Sequence, residues 1–280
     1  MTLMVPRRKA RRAGIDLPVL GLGTYRAFDH PDRARLGRVL DTAREVGAEL
    51  VDTAPVYNRA ETTLAALLRG DRTRFVATKI WETDPEAVEA VFSSQLRAYD
   101  RPSIDLLQVH NLNGWQANLG WLDRQKAAGR IGFTGVTYQF DHAFGLGGSR
   151  ADLARVVADD LVDFIQINLN AAEADLAEEI LPAAAERGIG VLVMRPFGEG
   201  ELLASPPSAE WLHELGCATW SEALLRWTLS FPQVTSALTA TSDPEHFRAN
   251  AAAVGKVPLG PDAAAEVARY AAAVRSGTWR

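Results

Sequence analysis

The sequence predicts a single (β/α)8 barrel over residues 1–280, with a short N-terminal hairpin and a C-terminal helix. Three observations predict it. Eight short apolar runs, rich in Val, Ile, Leu and Phe without strict polar alternation, read as parallel strands buried on both faces. Longer amphipathic stretches alternate with them. Eight such units fill about 250 residues, the dimension of this barrel, and no linker rich in Pro, Gly or Ser divides the chain. A doubly wound open sheet is the competing arrangement.

The elements follow in order. Arg7, Arg8, Lys9, Arg11 and Arg12 form a basic patch. An export signal would need an apolar segment next, but "GIDLPVLGLG" is interrupted by Asp16 and Pro18. The patch therefore reads as a solvated turn or hairpin. The strand candidates are "PVLGLGT", "AELVDTA", "RFVATKI", "IDLLQVH", "IGFTGVT", "VDFIQIN", "IGVLVMR" and "VTSALTA". The helix after the first strand carries Leu36, Val39, Leu40, Ala43 and Val46 at three-to-four spacing and stops at Gly47. "DPEAVEAVFSSQLRAYD" starts with Asp84 as cap and Pro85 in the first turn. Asp243 and Pro244 repeat that start. "GEGELLASPPSAEWLHELG" reads as an irregular loop after the seventh strand, and the tail from Pro261 as one more helix.

Hydrophobic residues make up 47% and charged residues 23%, an ordinary balance for a globular chain. The net charge of −5 gives no basic field for nucleic acid. One cysteine, Cys217, permits no internal disulfide and no thiolate zinc site, so a reducing, cytoplasmic setting is the expectation. No apolar run approaches the ~20 residues of a membrane span. The five histidines are scattered without an H-x-H or H-E-x-x-H pair, so no metal is expected.

Polar residues stand at successive strand ends: Asp52, Lys79 and His110, with Tyr57 in the turn after Asp52. In a barrel these ends surround one mouth. A phenol titrates near 10, too high for efficient proton donation at neutral pH. A neighbouring ammonium would lower that value, a carboxylate would hold the ammonium, and a histidine would orient a substrate oxygen. The set suits moving a proton on or off a carbonyl or alcohol oxygen.

In order and context, Asp52, Tyr57, Lys79 and His110 resemble the catalytic tetrad of the aldo-keto reductase superfamily. "LPVLGLGTYR", "GRIGFTGVT", "DFIQINLN", "PAAAERGIGVLVMRPFGEGELL" and "SALTATSDPEHFRAN" resemble further segments of that family, covering nearly the whole chain. The resemblance implies a barrel that binds a nicotinamide cofactor without a Rossmann domain. "GLGTYR" agrees, because Arg26 stands where the dinucleotide fingerprint needs its third glycine. The implied reaction is reduction of an aldehyde or ketone by NADPH, with NADH possible and Tyr57 as proton donor.

The resemblance also implies a cofactor site. Gly23, Thr24 and Asp52 would lie near the nicotinamide end, with Thr137 and Gln166 at the carboxamide and Met194 against the ring. Arg195, Pro196, Phe197, Gly200 and Leu202 would cover the pyrophosphate. Thr241, Ser242, His246 and Asn250 would meet the adenosine end. Family cation positions for the 2′-phosphate hold Ala240 and His246, with Asp243 adjacent and Arg248 the nearest substitute. Tyr25, Trp81, Asn111 and Phe140 would contact substrate, and Phe28 and Trp115 would help wall an apolar pocket. That wall favours an apolar or aromatic carbonyl compound as the small-molecule partner. Trp211, Trp220 and Trp279 read as packing. Two rival functions remain open: a cofactor-binding barrel turned to dehydration, epimerisation or imine reduction, and a non-catalytic nicotinamide sensor. The sequence is silent on oligomeric state.

Overall fold

The computed structural model describes residues 3–139 and 147–278. An antiparallel hairpin, β1 (Arg7–Ala10) and β2 (Ile15–Pro18), leads into the first barrel strand. The barrel strands are β3 (Leu20–Gly23), β4 (Leu50–Asp52), β5 (Phe75–Ile80), β6 (Ile104–Val109), β7 (Ile131–Tyr138), β8 (Phe164–Asn168), β9 (Gly190–Met194) and β10 (Ser236–Ala240). They close as one parallel barrel in chain order, with β10 pairing β3. Closure excludes the open sheet.

The surrounding helices are α1 (Arg33–Glu45), α2 (Ala60–Leu67), α3 (Pro85–Tyr99), α4 (Trp115–Ala127), α5 (Arg150–Ala158) and α6 (Ile180–Arg187). Then come α7 (Ala209–Glu214), α8 (Trp220–Thr228), α9 (Pro244–Val254) and α10 (Pro261–Ser276). The predicted helix signals act as expected. Asp84 accepts from the Ala87 amide at 3.0 Å, and Gly47, at φ +72°, reverses the chain after α1.

Two expectations need correction. The piece after β9 is not wholly irregular. It holds a 3-10 turn (Gly198–Ala204) and α7, whose Trp211 joins Trp220 and Tyr270 in an aromatic cluster. The basic patch is not wholly solvated either. Arg8 is half-buried and donates to the carbonyls of Leu229, Phe231 and Val234 at 2.7–2.9 Å, which docks the hairpin against the barrel.

Two cores result. One lies between strands and helices and takes the apolar stripes of α1, α3, α5 and α8. The other fills the barrel and holds Leu50, Ala77, Leu106, Phe164, Leu192 and Leu238, with Ala10 and Leu17 of the hairpin against it. Strand ends beyond this plug are free to carry polar side chains.

Candidate active site

Asp52 ends β4, Lys79 lies one residue from the end of β5, and His110 follows β6, so their side chains converge at the carboxyl end of the barrel. Lys79 is fully buried. Its ammonium reaches both Asp52 oxygens at 2.9 and 2.8 Å and the Thr53 carbonyl at 2.8 Å, which occupies all three protons. Gln166 Nε2 adds a bond to Asp52 Oδ1 at 2.9 Å, and Gln108 Nε2 a longer one at 3.4 Å. A buried charge pair is tolerable only with such satisfaction.

Tyr57 stands over this pair, its ring centroid 5.2 Å from Lys79 Nζ. The phenol titrates above its ordinary value, because the cost of burial exceeds the pull of the Lys79 charge and Asp52 opposes that pull. This corrects the expected direction. Lys79 does lower the phenol, but burial wins, and Tyr57 rests protonated. For Lys79 itself burial favours discharge, yet the charge and hydrogen bonds of Asp52, with Tyr57, outweigh it and raise its pKa.

His110 is held edge-on between Tyr57 and Trp81, with centroids at 5.8 and 5.3 Å. Burial, aided by the Lys79 charge, lowers its pKa to about 3, so the imidazole is neutral. Nδ1 is buried without a partner. The tautomer with its proton on Nε2 leaves only a lone pair unsatisfied inside.

These groups open into a cavity of about 810 Å³. Of the residues inferred from sequence, Gly23, Thr24, Tyr25, Asp52, Trp81, Asn111, Met194, Arg195, Pro196, Phe197, Gly200, Thr241 and Ser242 line it, with Tyr57 and His110. Thr24 is committed to structure as well, since its hydroxyl donates to Thr53 Oγ1 at 2.8 Å. Asn111 takes a left-handed backbone (φ 49°), and its amide donates to Thr137 Oγ1 at 2.8 Å.

Other inferred residues are not on the cavity wall. Thr137 and Gln166 are fully buried, Thr137 bracing Asn111 and Gln166 bracing Asp52. Gln166 Oε1 and the nearby Asn168 Oδ1 are buried acceptors without partners, a feature suited to an amide donor. Leu202 packs in the core, its carbonyl accepting from Trp220 Nε1 at 2.7 Å. Asn250 is buried in α9, and His246 lies in the first turn of that helix. Arg248 points away to Glu45 at 2.9 Å. Phe28 and Trp115 are core residues, not pocket walls. Phe140 and Trp279 fall outside the described residues.

Sequence reasoning missed several participants. Gln108 was legible, since a polar residue two before His110 shares its face of the strand. Glu199 pairs with Arg195 at 2.7 Å and Arg26 at 3.2 Å, bridging the loops after β9 and β3 across the cavity. Arg35 of α1 reaches the Ser242–Asp243 turn. No local pattern announces either set.

The model of the Aldo/keto reductase family matches residues 19–271. The chain belongs to the aldo/keto reductase family. Members of this family are nicotinamide-dependent oxidoreductases, and the chain is an enzyme of that class. A D-threo-aldose 1-dehydrogenase from Pseudomonas sp is 24% identical, the match covering 74% of each chain. Among solved structures, a holo-form aldo-keto reductase from Bacillus halodurans superposes with a TM-score of 0.79 at 19% identity, over 95% of this chain and 96% of that one. An aldo-keto reductase from Klebsiella pneumoniae in complex with NADPH gives 0.76 at 18% identity, over 97% and 96%. Identities this low establish a shared fold. Among the described residues, no helix is long and apolar enough to cross a membrane.

Proposed function

We propose that this aldo-keto reductase reduces an aldehyde or ketone to an alcohol, with Tyr57 as proton donor and NADPH, or less favourably NADH, as the reductant. The observation that carries it is the arrangement of a protonated phenol above a fully satisfied Asp52–Lys79 pair, beside a neutral imidazole, on the cavity wall. When bound, the reduced nicotinamide supplies hydride to the carbonyl carbon. The acceptors Gln166 Oε1 and Asn168 Oδ1 fit its carboxamide, and Met194 offers a polarizable face.

The protein's own groups do the rest. His110 Nε2–H donates to the carbonyl oxygen and fixes its direction. As negative charge develops there, Tyr57 O–H transfers its proton, and the Lys79 ammonium stabilises the resulting phenolate. Asp52 keeps Lys79 charged and in place. Val56, Trp81 and Leu203 with Tyr25 give the mouth an apolar, aromatic wall, so a carbonyl carrying an apolar or aromatic group fits it. The likeness to a D-threo-aldose 1-dehydrogenase favours a second reading. In it the same groups run in reverse on a hydroxylated substrate, with Asn111 a polar contact.

Tyr57→Phe tests the assignment. Turnover should fall by roughly 10²–10⁴, as for loss of a general acid, while cofactor dissociation constants stay within about threefold. A Phe variant that reduces the same carbonyl at near wild-type rate removes Tyr57 from the role.

A further inference from the structure

The cavity wall at the end of β10 and just after it is made by Thr239, Ala240, Thr241 and Ser242. No basic side chain lies within this run. One arrives from elsewhere in the chain. Arg35, in the first turn of α1, donates from Nε to the Ser242 carbonyl at 2.6 Å and from Nη2 to Asp243 Oδ2 at 2.8 Å. The other Asp243 oxygen accepts from the Glu245 amide at 2.9 Å. The Asp243 carboxylate thus occupies the position of an anion, clasped between a guanidinium and the start of α9. Both side chains are about one-third exposed.

We propose that the Arg35–Asp243 pair selects between the two nicotinamide cofactors, Arg35 being the cation that meets the 2′-phosphate of NADPH and Asp243 the internal anion that phosphate must displace. The proposal rests on the cofactor reading above and assigns its phosphate specificity to a residue of α1.

Charge and geometry support it. A 2′-phosphate brings about two negative charges and pairs with a guanidinium through charge-assisted bonds. An Arg–Asp pair that is about one-third exposed is weak, so Arg35 can exchange one anion for a stronger one. Among the described residues, Arg35 is the cation that bonds the Ser242–Asp243 turn, and the other candidates face elsewhere. Arg248 is held by Glu45, while Arg26 and Arg195 are both held by Glu199 in the loop after β9. The Thr241 hydroxyl accepts from the Asp243 amide at 3.0 Å and is already engaged in the turn. Without a phosphate, Asp243 stays on Arg35 and leaves no unpaired charge there, so NADH is admitted too.

The test is a set of dissociation constants for NADPH and NADH, read by quenching of protein fluorescence on the full chain. Arg35→Ala should weaken NADPH by about tenfold or more and leave NADH within about threefold. Asp243→Asn keeps a good helix cap and frees Arg35, so NADPH should tighten by about fivefold or more with NADH unchanged. NADH binding is the internal control for folding. Equal effects on both cofactors in Arg35→Ala, or no effect on either, overturns the proposal. So does Asp243→Asn leaving the ratio of the two constants where it was. Failure of wild type to bind either cofactor removes the proposed function itself, and the selector with it.

Discussion

Glu61 shows how one buried side chain can tie two elements together and still cost stability. It lies on α2, just after the Tyr57 turn, and its carboxylate accepts from the Thr78 hydroxyl and from Gln95 Nε2. Gln95 Nε2 also donates to the Lys79 carbonyl at 3.0 Å, so Glu61 ties the helix after Tyr57 to the strand that carries Lys79. Burial raises the Glu61 carboxyl from 4.5 to about 7, with Glu82 adding to it and Thr78, Gln95 and Lys79 opposing. A raised acid is protonated more readily in the folded chain than in the unfolded one. Its cost is therefore absent below pH ~4.5, grows as the unfolded carboxyl ionises, and levels off above about 7. At ~1.4 kcal/mol per pKa unit, the gap caps the loss at about 3 kcal/mol. Glu61→Gln should thus gain stability relative to wild type as pH rises from 4.5 to 7.5. Urea midpoints across that range check it, and a pH-independent difference would refute the buried ionisation.

Between elements, the hairpin and the strand ends carry separate loads. Arg8 alone holds three carbonyls at the turn between α8 and β10. Arg8→Ala leaves those carbonyls to water and loosens the hairpin that packs Ala10 and Leu17 against the barrel's inner core. A loss of about 1–3 kcal/mol in chemical denaturation is expected, with turnover unchanged, since β1 and β2 lie at the amino ends of the strands. At the other end, β4 and β5 share one charge pair. Asp52→Asn and Lys79→Met should each abolish reduction, because either strands a buried charge at a cost of about 3–5 kcal/mol. The double variant should be little worse than either single one. Fully multiplicative losses in kcat/KM would show two independent groups.

For the whole molecule, the strand-and-helix alternation and the spacing of Asp52, Lys79 and His110 were determined by the sequence. Both are local in origin: apolar runs must be buried on two faces, and a polar residue ending such a run has only the mouth to face. Helix starts at Asp84 and Asp243 were legible for the same reason, since a cap acts over three residues. The tertiary structure decided what no window along the chain contains. It closed β10 onto β3, turned Gln166 and Thr137 from wall residues into braces, and sent Arg248 to Glu45 instead of the cavity. It also let burial outweigh Lys79 at Tyr57 and brought Arg35 across more than 200 residues to Asp243. Each of these depends on distance and desolvation between groups remote in sequence, and those quantities exist only once the barrel has closed.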